Sequence, residues 1–501
     1  MSTFEEILSA EVRDAAAEAN LWSAFARSVR DNVLAELAIQ CVRITAMVIL
    51  ARQLMPRDFG VFKVLLVVSV LGVLIYEAGV PDALIQRKEI TREHEATAWW
   101  ISIVLAVISA ALLWAGAPIF AQAMRMPVLT TGIRLLCIPL LLEGTVVISN
   151  ARLQRALRFS ALAAADVVGE VMFLSVALAA LWFGLPVWSL PLALAARLAM
   201  HAVAIWIAEP RPPLGTPSAR AAQDLWRFAT SVTGSQFMYL LSNNADYLLV
   251  GRLLGSGALG FYTIAWDLLR FVPDRLYQVA GRVTYPTFCR LQDDNVKLAE
   301  AYRDFFGYIA RIVLPLVAVV VVVAPELVTT VYGKQWRSAA EPLRLLAAGL
   351  SLAGLRVGIG SIFYSKSHPS FDIYLHTLRL VLVVFACTVF SYRGLIGVSA
   401  AISVVEGIIS IVGAQMACRL VDMKLSDLAS AAMPGLRLAL VCVFGAAIGK
   451  AAAQYAGLEG PLVLIAAALP PLIAYCWLEA PTLTRMLSVA SGSRTREAVE
   501  S

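Results

Sequence analysis

Ile49-Leu50-Ala51-Arg52-Gln53-Leu54, followed by Phe59-Gly60-Val61-Phe62, returns 200 residues later as Leu249-Val250-Gly251-Arg252-Leu253-Leu254 followed by Leu259-Gly260-Phe261-Tyr262. Each copy closes one apolar segment and opens the next. Downstream, Ala117-Pro118 with Arg134-Leu135-Leu136 is matched by Ala324-Pro325 with Arg344-Leu345-Leu346, and Gly184-Leu185 by Gly394-Leu395. The same phrases in the same order describe a chain built from two copies of one unit, the usual construction of transport proteins.

Composition states the solvent of those units. The 501 residues are 59% hydrophobic and only 15% charged, with a mean hydropathy of +0.75, whereas a soluble domain is roughly a quarter charged. The apolar residues recur in stretches of about 18 to 25, the length that crosses a hydrocarbon layer as a helix. By this criterion the chain is an all-α, polytopic transmembrane bundle of about 14 helices, placed near 32–52, 62–80, 97–120, 131–150, 160–183, 187–208, 226–250, 258–281, 306–331, 341–364, 372–391, 394–418, 432–451 and 457–477. Six of these fall in each copy of the repeat, and an even number returns the chain to its starting side. The copies are therefore parallel repeats about an axis along the membrane normal.

The expected domains are a cytosolic N-terminal helix (1–31), a first lobe (32–208), a Pro-rich cytoplasmic linker (209–225), a second lobe (226–418), two appended spans (419–477) and a cytosolic tail (478–501). The opening residues lack the apolar core and cleavage site of a signal peptide. With the N-terminus inside, the even-numbered connections and both tails collect about 21 Lys and Arg, so the positive-inside rule places both termini in the cytoplasm. The net charge of +6 is then met by anionic lipid headgroups, and no nucleic-acid partner is implied. The seven cysteines show no CxxC pair and read as small buried residues. Four histidines, scattered along the chain, make no zinc set, and neither metal nor cofactor is predicted.

A charge inside a membrane costs about 2.5 to 3.5 kcal/mol on insertion scales, so each one needs a partner, water or a place near the interface. Asp267, Arg270 and Asp274 share one face of span 8. Span 7 carries Asn243, Asn244 and Asp246, suited to sugar hydroxyls or a coupling cation, or to plain interhelical hydrogen bonds. Repeat register puts Arg43 where the second copy has Asn243. Asp166 and Glu170 on span 5, and Arg197 and His201 on span 6, are each spaced i, i+4, and antiparallel neighbours would pair them. Asp372, His376 and Arg379 share a face of span 11. Pro139, Pro273 and Pro315 interrupt helical hydrogen bonding, and Gly349, Gly354, Gly358 and Gly360 loosen span 10.

The phrase Leu50 to Gly60 resembles the end of the first span in the polysaccharide transporter family, which includes the O-antigen, colanic-acid and xanthan-type flippases. Asn243-Asn244-Ala245-Asp246-Tyr247-Leu248-Leu249-Val250-Gly251-Arg252, continued by Tyr285-Pro286-Thr287, Arg290-Leu291-Gln292-Asp293-Asp294 and Tyr332-Gly333-Lys334-Gln335-Trp336, is similar to the corresponding second-half segments. The resemblance covers roughly residues 32 to 420. It implies a place in the multidrug, oligosaccharidyl-lipid and polysaccharide exporter superfamily, with MATE/MurJ-like lobes that alternate between inward- and outward-open states. It also implies a substrate, an undecaprenyl-diphosphate-linked oligosaccharide carried from the cytoplasmic to the periplasmic leaflet of the inner membrane. Membrane lipid, and the polymerase and chain-length proteins of the same pathway, are the implied partners.

Such a headgroup requires cations, and arginine donates paired hydrogen bonds to oxyanions. Arg43, Arg270 and Arg356 are the leading candidates, followed by Arg197 and Arg311, with Asn243 and Asn244 for sugar. Coupling or gating candidates are Asp246, Asp267, Asp274, Glu77 and Glu143, since a desolvated carboxylate can take up a proton on one side and release it on the other. Not an enzyme, then, is the expectation. The alternatives are a membrane polymerase or ligase, which the short external connections and the missing nucleophile-base set argue against, and a small-molecule antiporter on the same scaffold.

Overall fold

The computed structural model describes residues 39–490 except Lys88, 213–214, 354–355, 357 and 459; the side chains of 227, 271–283, 353 and 480–490 are also outside the description. The expected N-terminal helix therefore lies outside the described residues. From residue 39 the chain is helical: α1 (39–53), α2 (Pro56–Glu77), α3 (Val80–Gln86), α4 (Arg92–Met124), α5 (Val128–Arg155), α6 (Phe159–Trp182), α7 (Pro186–Ala208), α8 (Ala219–Leu254), α9 (Ser256–Arg290), α10 (Asn295–Val331), α11 (Ala340–Ala353), α12 (Ile359–Ser365), α13 (Ser370–Phe390), α14 (Gly394–Leu420), α15 (Leu425–Tyr455) and α16 (Pro461–Ala490). It is a multi-pass membrane protein.

Among the described residues nine helical stretches are long and apolar enough to cross a membrane, one of them, 370–420, holding both α13 and α14. The expected spans 1, 7, 8 and 10 fall outside that set for identifiable reasons. Only part of span 1 is described, and α8 and α9 are interrupted by charges such as Asp246, Arg252, Asp267 and Arg270. Span 10 is two helices rather than one, because α11 stops at Ala353 and α12 begins only after Gly358, whose φ of +93° belongs to the left-handed region that glycine adopts without penalty. Span 2 starts earlier than its apolar run: Pro56 occupies the first helical turn and the Asp58 carboxylate accepts from the Met55 amide at 3.0 Å, capping α2.

The chain divides into two compact units between Asn244 and Ala245, with α8 running across the division. In the first, α5 packs against α4 and α7, α6 lies along α7, and α2 covers α4 and α5. Val146, Leu153, Ala165, Ala202 and Ile205 form a buried knot where α5, α6 and α7 meet. In the second, α14 packs against α11 and α13. The appended α15 lies along α10 and α16; a Cβ on Gly435 would stand 2.6 Å from the Ala310 backbone, so only glycine allows that approach. Lys450 of α15 meets Glu326 of α10 at 2.9 Å, and Arg311 of α10 meets Glu479 of α16 at 3.6 Å.

The repeated phrases acquire physical reasons. Gly184 and Gly394 hold φ of +74° and +67° at equivalent turns, two residues before α7 and at the first residue of α14. Proline at position i leaves the carbonyl of residue i−4 without its helical donor. Pro118 so orphans the Trp114 carbonyl and Pro325 the Val321 carbonyl; Arg134 Nε points at the first at a long 3.5 Å and Arg344 Nε donates to the second at 3.1 Å. Each proline thus travels with the arginine that repairs it.

The linker is pinned to the first unit. Glu209 meets Arg152 and Arg158, and Arg152 grips Glu95 with two nitrogens at 3.0 and 2.6 Å. The Ser218 amide donates to Thr97 Oγ1 at 2.9 Å, and Asp224 receives His94 and Arg87. These bonds hold the Asp224 carboxyl below its usual range, the His94 hydrogen bond contributing most. Of the cysteines, Cys137, Cys387, Cys418 and Cys442 are buried as expected, whereas Cys41 and Cys476 are exposed, thiols being apolar enough to face lipid.

Candidate functional site

Polar side chains gather at one place in each unit. In the first, α6 and α7 run antiparallel and bring their i, i+4 pairs face to face. Glu170, buried, receives Arg43 Nη2 of α1 at 2.5 Å and Arg197 Nε of α7 at 3.5 Å. One turn along α7, His201 Nδ1 lies 2.8 Å from Glu143 Oε1 of α5 and Nε2 lies 3.8 Å from Asp166 Oδ1 of α6. Glu77, at the end of α2, has Glu143 and Asp82 as its charged neighbours. Arg43 and Arg197 keep 47% and 36% of their side chains exposed, so their one shared carboxylate leaves both guanidiniums accessible.

In the second unit, Asp246 of α8 is fully buried and accepts from Tyr262 Oη of α9 at 2.9 Å. One turn on, Trp266 carries the Arg270 guanidinium 4.6 Å above its ring, a cation–π contact. Glu406 of α14 is the hub: Arg379 of α13 donates to its Oε1 through Nε at 2.8 Å and holds Nη2 2.7 Å away as an ion pair, and Arg356 Nη2 reaches Oε2 at 3.0 Å. Arg270 is the next charge acting on Glu406 after these two. Arg379 and Glu406 are both buried, while Arg356, between α11 and α12, keeps a quarter of its side chain exposed. Arg356 lies two residues before Gly358, whose left-handed φ precedes α12.

The candidates read from sequence divide accordingly. Arg43, Arg197 and Glu143 come together in the first unit, with Glu77 beside them. Arg270, Arg356 and Asp246 come together in the second. Asp267 is exposed on α9, its charge felt by Tyr247 and Tyr332. Arg311 stands apart, tied to Glu479 of the appended α16. Asn243 and Asn244 donate to the carbonyls of Tyr239 and Leu240 one turn back on their own helix, at 3.0 and 2.9 Å. The side chain of Asp274 lies outside the described residues.

Glu406 was not singled out from the sequence, and Arg379 only as part of a face on span 11. A signal was present. Glu170 and Arg197 are 27 residues apart, and Arg379 and Glu406 are also 27 apart. Counted from Gly184 and Gly394, the two pairs occupy equivalent positions to within one residue, with acid and base exchanged.

A family model described as "Polysaccharide biosynthesis protein" matches residues 49–341, more than half of the chain. The chain belongs to this family. It is 24% identical over 365 residues to the lipopolysaccharide biosynthesis protein WzxC of Escherichia coli, covering 72% of this chain and 73% of that one. It is 26% identical to the succinoglycan biosynthesis transport protein ExoT of Rhizobium meliloti, covering 64% and 65% respectively. Among solved structures, the fold matches the lipid II flippase MurJ in its inward closed conformation with a TM-score of 0.72 at 12% identity, over 90% of this chain and 99% of that one. It also matches an inward-facing MATE-family multidrug transporter of the MOP superfamily with a TM-score of 0.65 at 16% identity, over 78% and 96%. The family member described here therefore has the fold of transporters, and both units of the repeat belong to it.

Proposed function

We propose that this polysaccharide biosynthesis protein is a flippase that moves an undecaprenyl-diphosphate-linked oligosaccharide from the cytoplasmic to the periplasmic leaflet of the inner membrane, by alternating access of its two lobes. Both termini face the cytoplasm in this reading, as the excess of Lys and Arg on that side supports. The observation that carries it is the arginine set of the second unit. Arg356 and Arg379 converge on the buried Glu406 carboxylate, with Arg270 the next charge acting on it, and Arg379 is buried with it. Arg356 keeps a quarter of its side chain exposed, as a donor to a ligand oxyanion requires. An arginine fork matches a phosphate and, in a low-dielectric setting, binds it more strongly than in water. Trp266, itself buried against Tyr262, stacks on the Arg270 guanidinium and holds it in place.

Deletion of the gene tests the reading. Lipid-diphosphate-linked repeat units then accumulate on the cytoplasmic leaflet; accumulation on the outer leaflet as unpolymerised units would favour the polymerase instead. Replacement Arg270→Gln keeps the helix and removes the charge. Export is expected to fall at least tenfold, equivalent to about 1.4 kcal/mol of lost stabilisation, with the protein still present in the membrane. Export at the wild-type rate removes Arg270 from the substrate path. Polymerase and chain-length proteins are the partners that would consume the product.

A further inference from the structure

The second unit supplies cations; the first supplies something else. Four carboxylates, Glu77, Glu143, Asp166 and Glu170, gather there with two arginines, Arg43 and Arg197, and one imidazole. Proton uptake by that imidazole moves the group toward neutrality inside the membrane, where uncompensated charge is costly. We infer that Glu143, His201 and Asp166 form a proton-binding site in the first unit, with His201 Nε2 as the atom that takes and releases the proton.

The geometry assigns the roles. A neutral imidazole has one N–H to give and one nitrogen that accepts. Nδ1, 2.8 Å from Glu143 Oε1, donates to that carboxylate in either protonation state, and the bond fixes the ring and its tautomer. Nε2 then carries the free lone pair. It stands 3.8 Å from Asp166 Oδ1, beyond hydrogen-bonding distance and within that of an ion pair. The proton that arrives on Nε2 therefore gains an anionic neighbour without having displaced a bond. Asp166 keeps 55% of its side chain exposed, against 9% for Glu143, so the open side of the ring is the Nε2 side. Among the described residues, the charged groups around His201 come from α2, α5, α6 and its own helix. Helix α5 presents Glu143, and α6 presents Asp166 with Glu170 one turn on. His201's own helix brings Arg197, whose charge opposes protonation and is itself held by Glu170. From α2, Tyr76 and Glu77 stand next to Glu143. The other intramembrane charge of α2, Lys63, is fourteen residues and about 21 Å along the helix from Glu77. A histidine is the side chain whose charge changes near neutral pH, and here it sits between two acids in a transporter lobe.

As a source of energy for transport the site rests on the flippase reading; as a proton site it does not, and the experiment separates the two. The full-length protein in nanodiscs is taken from pH 8 to pH 5.5, and proton uptake is read with an indicator dye. His201→Gln, which keeps a hydrogen bond to Glu143, and His201→Lys, which keeps a permanent positive charge there, should each take up about one proton fewer per molecule than wild type. The same three proteins are then placed in vesicles with a lipid-diphosphate-linked oligosaccharide, and transfer is measured with and without an imposed pH gradient. Wild type accelerates with the gradient. Both variants lose that acceleration. A purely structural histidine predicts that at least one of the two replacements responds to the gradient as wild type does, and that result overturns the coupling. Unchanged proton uptake in both variants overturns the site itself. If uptake falls by one proton while no protein transfers the oligosaccharide, the proton site stands and the flippase reading is the part that fails.

Discussion

Glu170 with Arg197, and Arg379 with Glu406, are the same contact made twice with opposite polarity. The separation along the chain is identical and the helices are equivalent, yet the surroundings differ. In the first unit the acid is on the earlier helix, and its two arginines are more than a third exposed. In the second the arginine is on the earlier helix and both partners are buried. Duplication preserved the place where an interhelical ion pair is needed and let its sign drift. One lobe thereby gathered carboxylates around a histidine, and the other gathered arginines around a carboxylate.

The sharpest test of the difference is to remove the acid from each pair. Glu406→Leu leaves Arg379 charged, buried and without its main anion, and breaking such a pair costs about 3 to 5 kcal/mol. The thermal midpoint of the protein in detergent should fall by many degrees, and the double replacement Arg379→Met with Glu406→Leu should restore most of it. Glu170→Leu removes an acid whose arginines stay accessible to water, so its cost is about 1 kcal/mol or less. Equal losses in the two single variants would mean that the exposed faces of Arg43 and Arg197 meet lipid rather than water.

Much of this architecture is readable before any coordinates. Span length and loop charge give a helical membrane protein, and the repeated phrases give two copies. The facing of Asp166 and Glu170 with Arg197 and His201 follows from i, i+4 spacing on antiparallel neighbours, because a helix fixes which residues share a face. Glu406 was not readable in the same manner. It stands alone in an apolar run, Val404-Val405-Glu406-Gly407-Ile408-Ile409, with no second charge one turn away to mark a face. Its partners come from α13 and from the interruption between α11 and α12, and the latter exists only because two helices replace one. Asn243 and Asn244 are undecided by sequence for the converse reason: an amide inside a helix can bond to the carbonyl four residues back, so its presence in a span does not by itself show that it faces a ligand.

The proline repairs provide a second comparison of smaller size. Arg344 donates to the orphaned Val321 carbonyl at 3.1 Å, whereas Arg134 points at the Trp114 carbonyl from 3.5 Å, longer than a good hydrogen bond, and stands 5.2 Å from the Trp114 ring as a cation–π contact. Arg344→Met should cost about 1.5 to 3 kcal/mol, the range for a hydrogen bond to a charged group. Arg134→Met should cost less, about 0.5 to 1 kcal/mol, the range of an exposed cation–π contact. The order of the two thermal midpoints checks the assignment; a larger loss at Arg134 would mean that the arginine's stacking on Trp114, not the carbonyl it repairs, is what the repeat has kept.

The smallest expected difference lies at Asp224 and Asp294. Asp224 in the first unit is held below the usual carboxylate range chiefly by the His94 hydrogen bond, and Asp294 in the second chiefly by the backbone N–H of Lys297 at the start of α10. For a carboxylate with a lowered folded-state pKa, the stabilisation is complete above the unfolded value, near 4, and is lost as pH falls through the folded one. Both ends therefore loosen only in acid. Their dependence on side chains differs: His94→Ala removes the principal donor to Asp224, whereas Lys297→Ala leaves the Lys297 amide in place. Hydrogen exchange followed downward from pH 5 should then show His94→Ala flattening the acid response of residues 219–225 and leaving that of 294–298 unchanged. A parallel loss at both ends would show that acid acts on the whole bundle rather than on these two caps, and that the first unit's linker is not anchored independently through Asp224.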